Sequence, residues 1–451
     1  MFGGRRIAPQ NRKGRDTAVT ATLIFVAAIT ALMIGCIIFY PRLRLGKFEI
    51  DTYWPVALLG ALLLLIFGFV RPDELLAALT ADTAINPLKI VALFLSMTVL
   101  SVYLDEVGFF GYVASLALAR SGKSQTRLFF ILYAAVSVLT VFTSNDIIIL
   151  TFTPFICYFA AAARIDPIPY LVAEFVAANT WSMALVIGNP TNVYLASTYG
   201  IDFITYLGRM LLPTAAAGIA ALGALYLLFR RRLTQPIEPM KIEMRFRDRP
   251  LLVLGLVHLG GCTLLLAVGS YLALDMWLIA VLAAASLGIC TLLLCALRRR
   301  SPAILLQCAR RAPWPLLPFI LSMFTLILAL EKCGAVAALA ALLGEGSPVL
   351  TYGISSALAA NLINNIPMSA LYCAVAGNLA EGLREGAVYA AVIGSNLGAL
   401  LTPVGALAGI MWMGMLKKQD LRFGYAGFLR YLAPIGAAAL AAALFVLFLL
   451  L

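Results

Sequence analysis

Long apolar runs separated by short polar punctuation fill this chain, and several of the runs are themselves interrupted by small polar residues. Runs long enough to cross roughly 30 Å of hydrocarbon as helices occupy residues 17–40, 53–70, 88–104, 127–142, 168–200, 203–229, 251–272, 276–297, 314–330, 348–363, 386–412 and 428–450. This pattern predicts an all-α polytopic membrane protein with about 11–12 transmembrane helices. The alternating ten-residue segments of an outer-membrane barrel are absent. Two runs, 168–200 and 386–412, carry Gly, Asn, Thr and Pro in their middles and are predicted to be broken helices. Two further stretches, 143–162 and 364–380, begin with small polar residues and continue apolar, which predicts re-entrant hairpins with polar tips at Ser144-Asn145-Asp146 and Asn364-Asn365.

A carboxylate in such a place is expensive. Without partners it is strongly penalised on leaving water, so Asp146 is a functional candidate by default. Its competing role is to cap a helix that begins at Ile147. Broken backbone is tolerated at membrane depth only where protein or a water-filled cavity receives it, so something polar is expected to bind there. Half-helix N-termini attract an anion, while unwound carbonyls accept protons or coordinate Na⁺. Pro154, Pro190, Pro367 and Pro403 supply the missing donors that such breaks use.

An internal repeat emerges when Leu95-Ser96-Met97 is laid on Leu321-Ser322-Met323, because the register then carries Asp105 onto Glu331 and Gly108 onto Gly334 without a gap. Farther on, Ser144-Asn145 falls on Asn364-Asn365, and Asn179 through Pro190 falls on Asn396 through Pro403 after a short deletion. The predicted organisation is a basic tail 1–16, a first membrane half 17–229, a basic linker 230–250 and a second half 251–451.

Composition agrees with the class: 63% hydrophobic residues, 12% charged and a mean hydropathy of +0.98 lie outside the range of soluble domains. The net charge of +12 sits mainly in loops and termini, as orientation by excess cytoplasmic Lys and Arg produces, and does not imply nucleic acid. The tail, with Arg5, Arg6, Arg12, Lys13 and Arg15, and the linker from Arg230 to Arg249 are both expected in the cytoplasm, with a retained first span and an inner-membrane location. Arg42, Arg44, Lys47, Arg120, Lys123 and Arg127 fit that orientation poorly. The eight cysteines are scattered without a CxxC pair, which predicts buried thiols and no metal site. No cofactor is expected. No P-loop is present, so energy comes from an ion gradient, the membrane potential or a separate ATPase subunit. No nucleophile, base and orienting acid converge, and the single histidine, His258, is expected to pack, so the chain is not an enzyme.

These residues carry a family resemblance. Leu104-Asp105-Glu106-Val107-Gly108-Phe109-Phe110, Asn145-Asp146 with Leu150 to Pro154, Ala312-Pro313-Trp314, Asn364-Asn365-Ile366-Pro367 and Gly394-Ser395-Asn396-Leu397-Gly398 leading into Leu401-Thr402-Pro403-Val404-Gly405 make the chain resemble the arsenite/antimonite permeases. More broadly it is similar to the ion transporter superfamily that includes divalent-anion/sodium symporters and some Na⁺/H⁺ antiporters. The resemblance implies inverted repeats and a secondary transporter whose substrate lies between the two hairpin tips and the two broken helices. The chain departs from the permease pattern at Ile147, Ile148 and Ile149, where Gly and Ala follow the Asn-Asp pair, and at Asn179 and Asn396, where acids are common. Gly188-Asn189-Pro190-Thr191-Asn192 is closer to the Asn-Thr sites of sodium-coupled relatives.

The expected function is gradient-driven, alternating-access movement of a small inorganic or organic ion: arsenite, antimonite or another anion. A sodium-coupled carboxylate symporter, a Na⁺/H⁺ antiporter and a passive channel stay open as alternatives. The coupling ion is H⁺ or Na⁺. Hairpin ligands are Ser144, Asn145, Asp146, Asn364 and Asn365; Asn179, Asn189, Thr191, Asn192, Asn396 and Thr402 line the broken-helix side; a sodium site falls near Asn145, Asp146 and Asn192. Asp105 and Glu106 read as a solvated helix end or a coupling site, and Glu174 faces the cavity or the membrane surface. Partners are the substrate ion and the lipid bilayer, with a homodimer as a further candidate. Inversion requires an odd number of crossings between Asn145 and Asn365, yet six runs intervene. One of them must fail to span, and 251–297 is where that is expected.

Overall fold

In lipid a helix satisfies its own backbone groups, and helices are what the apolar runs form. The computed structural model describes residues 10–40, 42–45, 48–81, 86–237, 246, 248–272, 274–419 and 421–451; residues 1–9 of the basic tail and 238–245 and 247 of the basic linker lie outside them. The first half begins with α1 (Gln10–Phe39), a two-stranded antiparallel ribbon of β1 (Arg42–Leu45) and β2 (Phe48–Asp51), α2 (Tyr53–Ile66) and the short α3 (Pro72–Thr80). It continues with α4 (Pro87–Val107), α5 (Phe109–Ser121), α6 (Gln125–Phe142), α7 (Asn145–Ala163), α8 (Ile168–Trp181), α9 (Pro190–Thr198) and α10 (Phe203–Phe229). The second half holds α11 (Arg249–Gly269), α12 (Met276–Leu297), α13 (Ala303–Arg311), α14 (Leu316–Lys332) and α15 (Ala335–Leu343). It ends with α16 (Pro348–Ile363), α17 (Asn365–Ala376), α18 (Glu381–Gly398), α19 (Leu407–Lys418) and α20 (Tyr425–Leu450). Gly108 and Gly334 make the sharp turns after α4 and α14 at φ 93° and 80°, a region that glycine enters at no steric cost.

Among the described residues, nine stretches are long and apolar enough to cross a membrane, and α2, α16 and α17 are shorter apolar helices. The nearly all-helical, multi-pass architecture is the expected one; the β1–β2 ribbon and the short helices α3, α5, α13 and α15 were not in the predicted set.

Side-chain pairs between helix ends sort the elements onto two faces. On the face of the 230–250 linker, Arg232 beyond α10 pairs with Asp166 beyond α7 at 3.3 Å, and Ile237 N–H donates to the Lys123 carbonyl before α6 at 2.9 Å. Asp248 before α11 binds Arg298 and Arg300 beyond α12. Arg311 at the end of α13 binds Asp105 and Glu106 at the end of α4. Tyr53 and Phe319, in the first turns of α2 and α14, stack edge to face with centroids 5.0 Å apart. On the opposite face, Lys332 at the end of α14 meets Glu74 on α3, Lys89 on α4 meets Asp275 before α12, and Arg209 on α10 meets Glu385 on α18 and the Leu450 carbonyl.

These pairings correct two expectations. Tyr40, just past α1, accepts from Thr52 before α2, while Phe25 packs on Phe67 and Phe69 just past α2. The start of α1 therefore lies on the face opposite the linker, and the two cannot both be cytoplasmic. The helices α11 and α12 are 21 and 22 residues long and both candidate spans, so 251–297 is not where a crossing is lost.

The hairpins are also redrawn. The segment expected as a hairpin over 143–162 is one helix, α7, in which Pro154 sits without breaking it. The chain turns instead at Thr143-Ser144, making α6 and α7 the two arms, whose outer ends share the linker face. Likewise Asn364, at φ 71°, turns the chain between α16 and α17. The polar residues of 143–162 and 364–380 come first in each segment, at the tip, so the apolar remainder of each segment is a second arm.

Apolar packing falls into two clusters. One joins α1, α2 and α14 with Val91 and Phe94 of α4; the other holds the rest of α4, α5 to α12 and α15 to α20.

Candidate functional site

The two broken helices cross at their breaks, and the breaks are made of residues that cannot continue a helix. After Trp181, a 3₁₀ turn at Val186–Gly188 leads to Asn189, whose carboxamide oxygen accepts from Thr191 N–H and so caps α9, with Pro190 at the first helical position. In the second half a 3₁₀ turn at Pro403–Gly405 precedes α19. A Cβ on Gly188 would lie 2.2 Å from the Ser182 carbonyl oxygen, so only glycine lets the unwound strand pass there.

A buried network of amides and hydroxyls ties one break to the other. The Asn396 amide nitrogen donates to Asn192 Oδ1 at 2.7 Å, while Asn396 Oδ1 accepts from Asn189 Nδ2 and Ser182 Oγ, both at 2.9 Å. Asn192 Nδ2 donates to the Ser182 and Leu185 carbonyls. Thr191 and Ser395 share a hydrogen bond at 2.9 Å. All these side chains are buried and none is charged.

Each hairpin tip docks on a broken helix. Asn145 donates to Asn179 Oδ1 at 3.3 Å, and Asn364 donates to the Val404 carbonyl at 3.0 Å. Thr402 donates to Asn361 Oδ1 at 2.6 Å, and Asn361 Nδ2 donates to the Gly398 carbonyl. At the first tip Ser144 Oγ and Asn145 Oδ1 are buried without a partner. Asp146 follows in the first turn of α7, where the helix N-terminus favours negative charge.

A cavity of about 390 Å³ reaches this tip from the linker face. Ser144, Asp146, Ile147 and Leu150 of the first hairpin form one wall, Phe94 and Thr98 of α4 and Leu407, Ile410 and Met411 of α19 form others, and Asp51, Tyr53 and Arg311 lie toward the mouth. It follows the seam between the two apolar clusters. On the opposite side, between Pro190, Thr191 and Tyr194 and Ile366, Ser369 and Ala370, the free space is about 10 Å³.

The sequence-predicted residues thus fall into separate places. Ser144 and Asp146 face the cavity. Asn189, Thr191, Asn192 and Asn396 form the inter-break network, while Asn179 holds the first tip and Asn364 and Thr402 hold the second. Asn365 is buried at the start of α17, where its carbonyl accepts from Ser369. For the sodium site, Asn145 offers an unpartnered oxygen beside Asp146, whereas the Asn192 amide is fully engaged in the network. Asn361, Ser182 and Ser395 were missed; Ser395 stood inside a motif already singled out, but Asn361 is a lone amide in an apolar helix and carries no signal of its own. Asp105 and Glu106 are not a solvated end: their side chains are 11% exposed and held by Arg311, and Asp105 also accepts from Thr151 on α7 at 2.8 Å.

The sequence profile of the citrate transporter (CitMHS) family matches residues 52–390. The chain belongs to the citrate transporter family. Within the described architecture this makes it an integral multi-pass membrane transporter and not an enzyme. It is 28% identical to the arsenical pump membrane protein of Escherichia coli (strain K12) over 435 residues, covering 90% of this chain and 94% of that protein. It is 25% identical to the putative arsenical pump membrane protein of Bacillus subtilis (strain 168) over 400 residues, covering 81% and 87%. In fold it is similar to the crystal structure of the YdaH transporter of Alcanivorax borkumensis, with a TM-score of 0.57 at 15% identity, covering 96% of this chain and 98% of that one.

Proposed function

We propose that this chain is a gradient-driven secondary transporter of arsenite, antimonite or a small anion of similar size, working by alternating access between two inverted repeats. The observation that carries this reading is the cavity of about 390 Å³ that runs from the linker face to Asp146 and Ser144. A carboxyl that makes no hydrogen bond or ion pair among the described residues, at the end of a water-accessible cleft, exchanges its proton with one side of the membrane at a time. The N-termini of α7, α9, α17 and α19 all begin at the tips and breaks, and their partial positive charge suits an anionic or strongly polar solute. With α7 and α16 read as hairpin arms, the order of crossings supports inversion: α8–α9, α10, α11, α12 and α14 then separate Asn145 from Asn365, an odd number.

The test is arsenite movement in vesicles reconstituted with the purified protein, under an imposed pH gradient. Wild type accumulates arsenite when the gradient is present, and Asp146→Asn loses that dependence while folding and inserting normally. Full gradient-coupled activity of Asp146→Asn removes Asp146 from the mechanism, and movement indifferent to any imposed gradient makes the protein a channel. Sodium coupling is the second reading, favoured by the oxygens of Ser144, Asn145 and Asp146 gathered at one tip. A sodium gradient that drives uptake where a pH gradient does not selects it.

A further inference from the structure

Glu174 is a carboxyl that neither the cavity nor the amide network uses. It lies on α8, five residues before Asn179, and is 2% exposed. Both of its oxygens lie within reach of the Thr153 hydroxyl on α7, at 2.9 and 3.0 Å; a hydroxyl has one proton, so it serves one of them at a time. The indole N–H of Trp412 on α19, buried and without another partner, lies beside the same carboxyl. Among the described residues no Lys, Arg or His forms an ion pair with it. Of the elements packed on α8, α7 adds one further ionisable group, the Cys157 thiol, and α6, α10, α18 and α20 add no charged side chain to its surroundings. An ionised carboxylate here has two donors at most and no counter-charge, so these surroundings accommodate the neutral, protonated acid.

Glu174 and its two neighbours, Thr153 and Trp412, stand on three different pieces: the first half of one broken helix, a hairpin arm and the second half of the other broken helix. The cavity already touches Leu150 on α7 and Met411 on α19, the neighbour of Trp412. Parting α7 from α19 therefore brings cavity water to Glu174.

We propose that Glu174 is a second proton-holding site of the transport core, occupied in this conformation and emptied when α7 and α19 separate. Its O–H bond then breaks, the proton passes to water in the widened cavity, and that water, with whichever of the Thr153 and Trp412 donors stays beside α8, solvates the carboxylate left behind. This rests on the gradient-driven reading above and adds to Asp146 a group that is shielded while Asp146 faces the cavity.

Infrared spectroscopy of the purified full-length protein reads the proton without reference to substrate. At about pH 8, above the ordinary carboxyl range, wild type is expected to show a protonated-carboxyl C=O stretch that shifts in D₂O and is lost in Glu174→Gln. Thr153→Ala, which keeps the acid, is expected to shift that band, and this decides the matter if Glu174→Gln does not fold. A spectrum unchanged by either substitution overturns the proposal. In vesicles with arsenite as probe and an internal pH-sensitive dye, Glu174→Gln is expected to lose arsenite-dependent proton flux and Glu174→Asp to retain it; undiminished flux in Glu174→Gln overturns the coupling role. If wild type moves no arsenite, the substrate assignment fails, and the infrared result still decides Glu174.

Discussion

Asn396 on α18 and Asn192 on α9 face each other amide to amide at 2.7 Å, and this contact joins the broken helix of one half to that of the other. Asn396 also serves Asn189 and Ser182. Asn396→Ala leaves the Asn192 acceptor and the Asn189 donor short of partners in a site that excludes water, while Ser182 keeps the Asn179 carbonyl at 3.0 Å. A stranded buried polar group costs about 1–3 kcal/mol, so this single truncation is expected to destabilise the protein by about 2–4 kcal/mol. Thermal melting in detergent measures it. The double variant with Asn192→Ala should be less damaged than the sum of the singles by about 0.5–3 kcal/mol; strict additivity would show that the contact contributes nothing.

The breaks were legible in the sequence because Gly188-Asn189-Pro190 and Thr402-Pro403 are chemically unfit to continue a helix. The partners across the breaks were not, because Ser182, Asn361 and Ser395 are single polar residues whose meaning comes from the opposite half of the chain. Hydropathy alone does not fix the crossing count: Gln125–Phe142 is long and apolar enough to span and Pro348–Ile363 is a shorter apolar helix, and each leads into a polar turn, at Thr143-Ser144 and at Asn364. The placement of the tail on the linker's side rested on that count.

The face assignment makes a topological prediction. By element position among the described residues, the linker face carries Arg42, Arg44, Arg120, Lys123, Arg127, Arg164, Arg230 to Arg232, Arg249, Arg298 to Arg300, Arg310, Arg311, Lys417, Lys418, Arg422 and Arg430, against Arg12, Lys13, Arg15, Arg71, Lys89, Arg209, Lys332 and Arg384 on the other. Excess Lys and Arg mark the cytoplasmic side, so the linker face is expected to be cytoplasmic and the start of α1 and the end of α20 external. Arg42, Arg44, Arg120, Lys123 and Arg127, which fit poorly with a cytoplasmic tail, then fall on the cytoplasmic side, Arg12, Lys13 and Arg15 fall on the other, and Lys47 lies outside the described residues. In a background lacking the native cysteines, Ser301→Cys should react with an impermeant thiol reagent only in inverted vesicles, and Glu345→Cys only in intact cells. Labelling of both from one side contradicts the arrangement.

The bridge between Lys332 and Glu74 ties the end of α14 to α3 on the face opposite the linker. The hydrogen bond from Lys332, with that of the Arg71 backbone N–H, holds the Glu74 carboxyl below its ordinary value. A lowered carboxyl favours the folded state above the ordinary value, and that advantage is lost as pH falls through the lowered one. Wild type should therefore melt above Glu74→Gln at neutral pH by a small margin, as befits an exposed pair, and the two curves should converge as the pH drops below about 4.5. A constant gap across that window would mean that the pair's charge is irrelevant to stability.

At the mouth of the cavity, Arg311 binds Asp105 at 2.6 Å and Glu106 at 2.7 Å, and Thr151 of the first hairpin donates to the same Asp105. One guanidinium thus bridges two adjacent, largely shielded acids and fixes the anchor on which the hairpin arm rests. Arg311→Gln removes the cation that the two acids share and leaves like charges side by side, an expected loss of about 2–5 kcal/mol. Arg311→Lys should recover part of this, since a single ammonium does not match the planar fork that reaches both carboxylates. The decisive comparison is Arg311→Gln with Asp105→Asn and Glu106→Gln added: if repulsion between the adjacent acids causes the damage, the triple variant should melt higher than Arg311→Gln alone. If it melts lower, the ion pairs are incidental and Arg311 acts by packing its stem against α4.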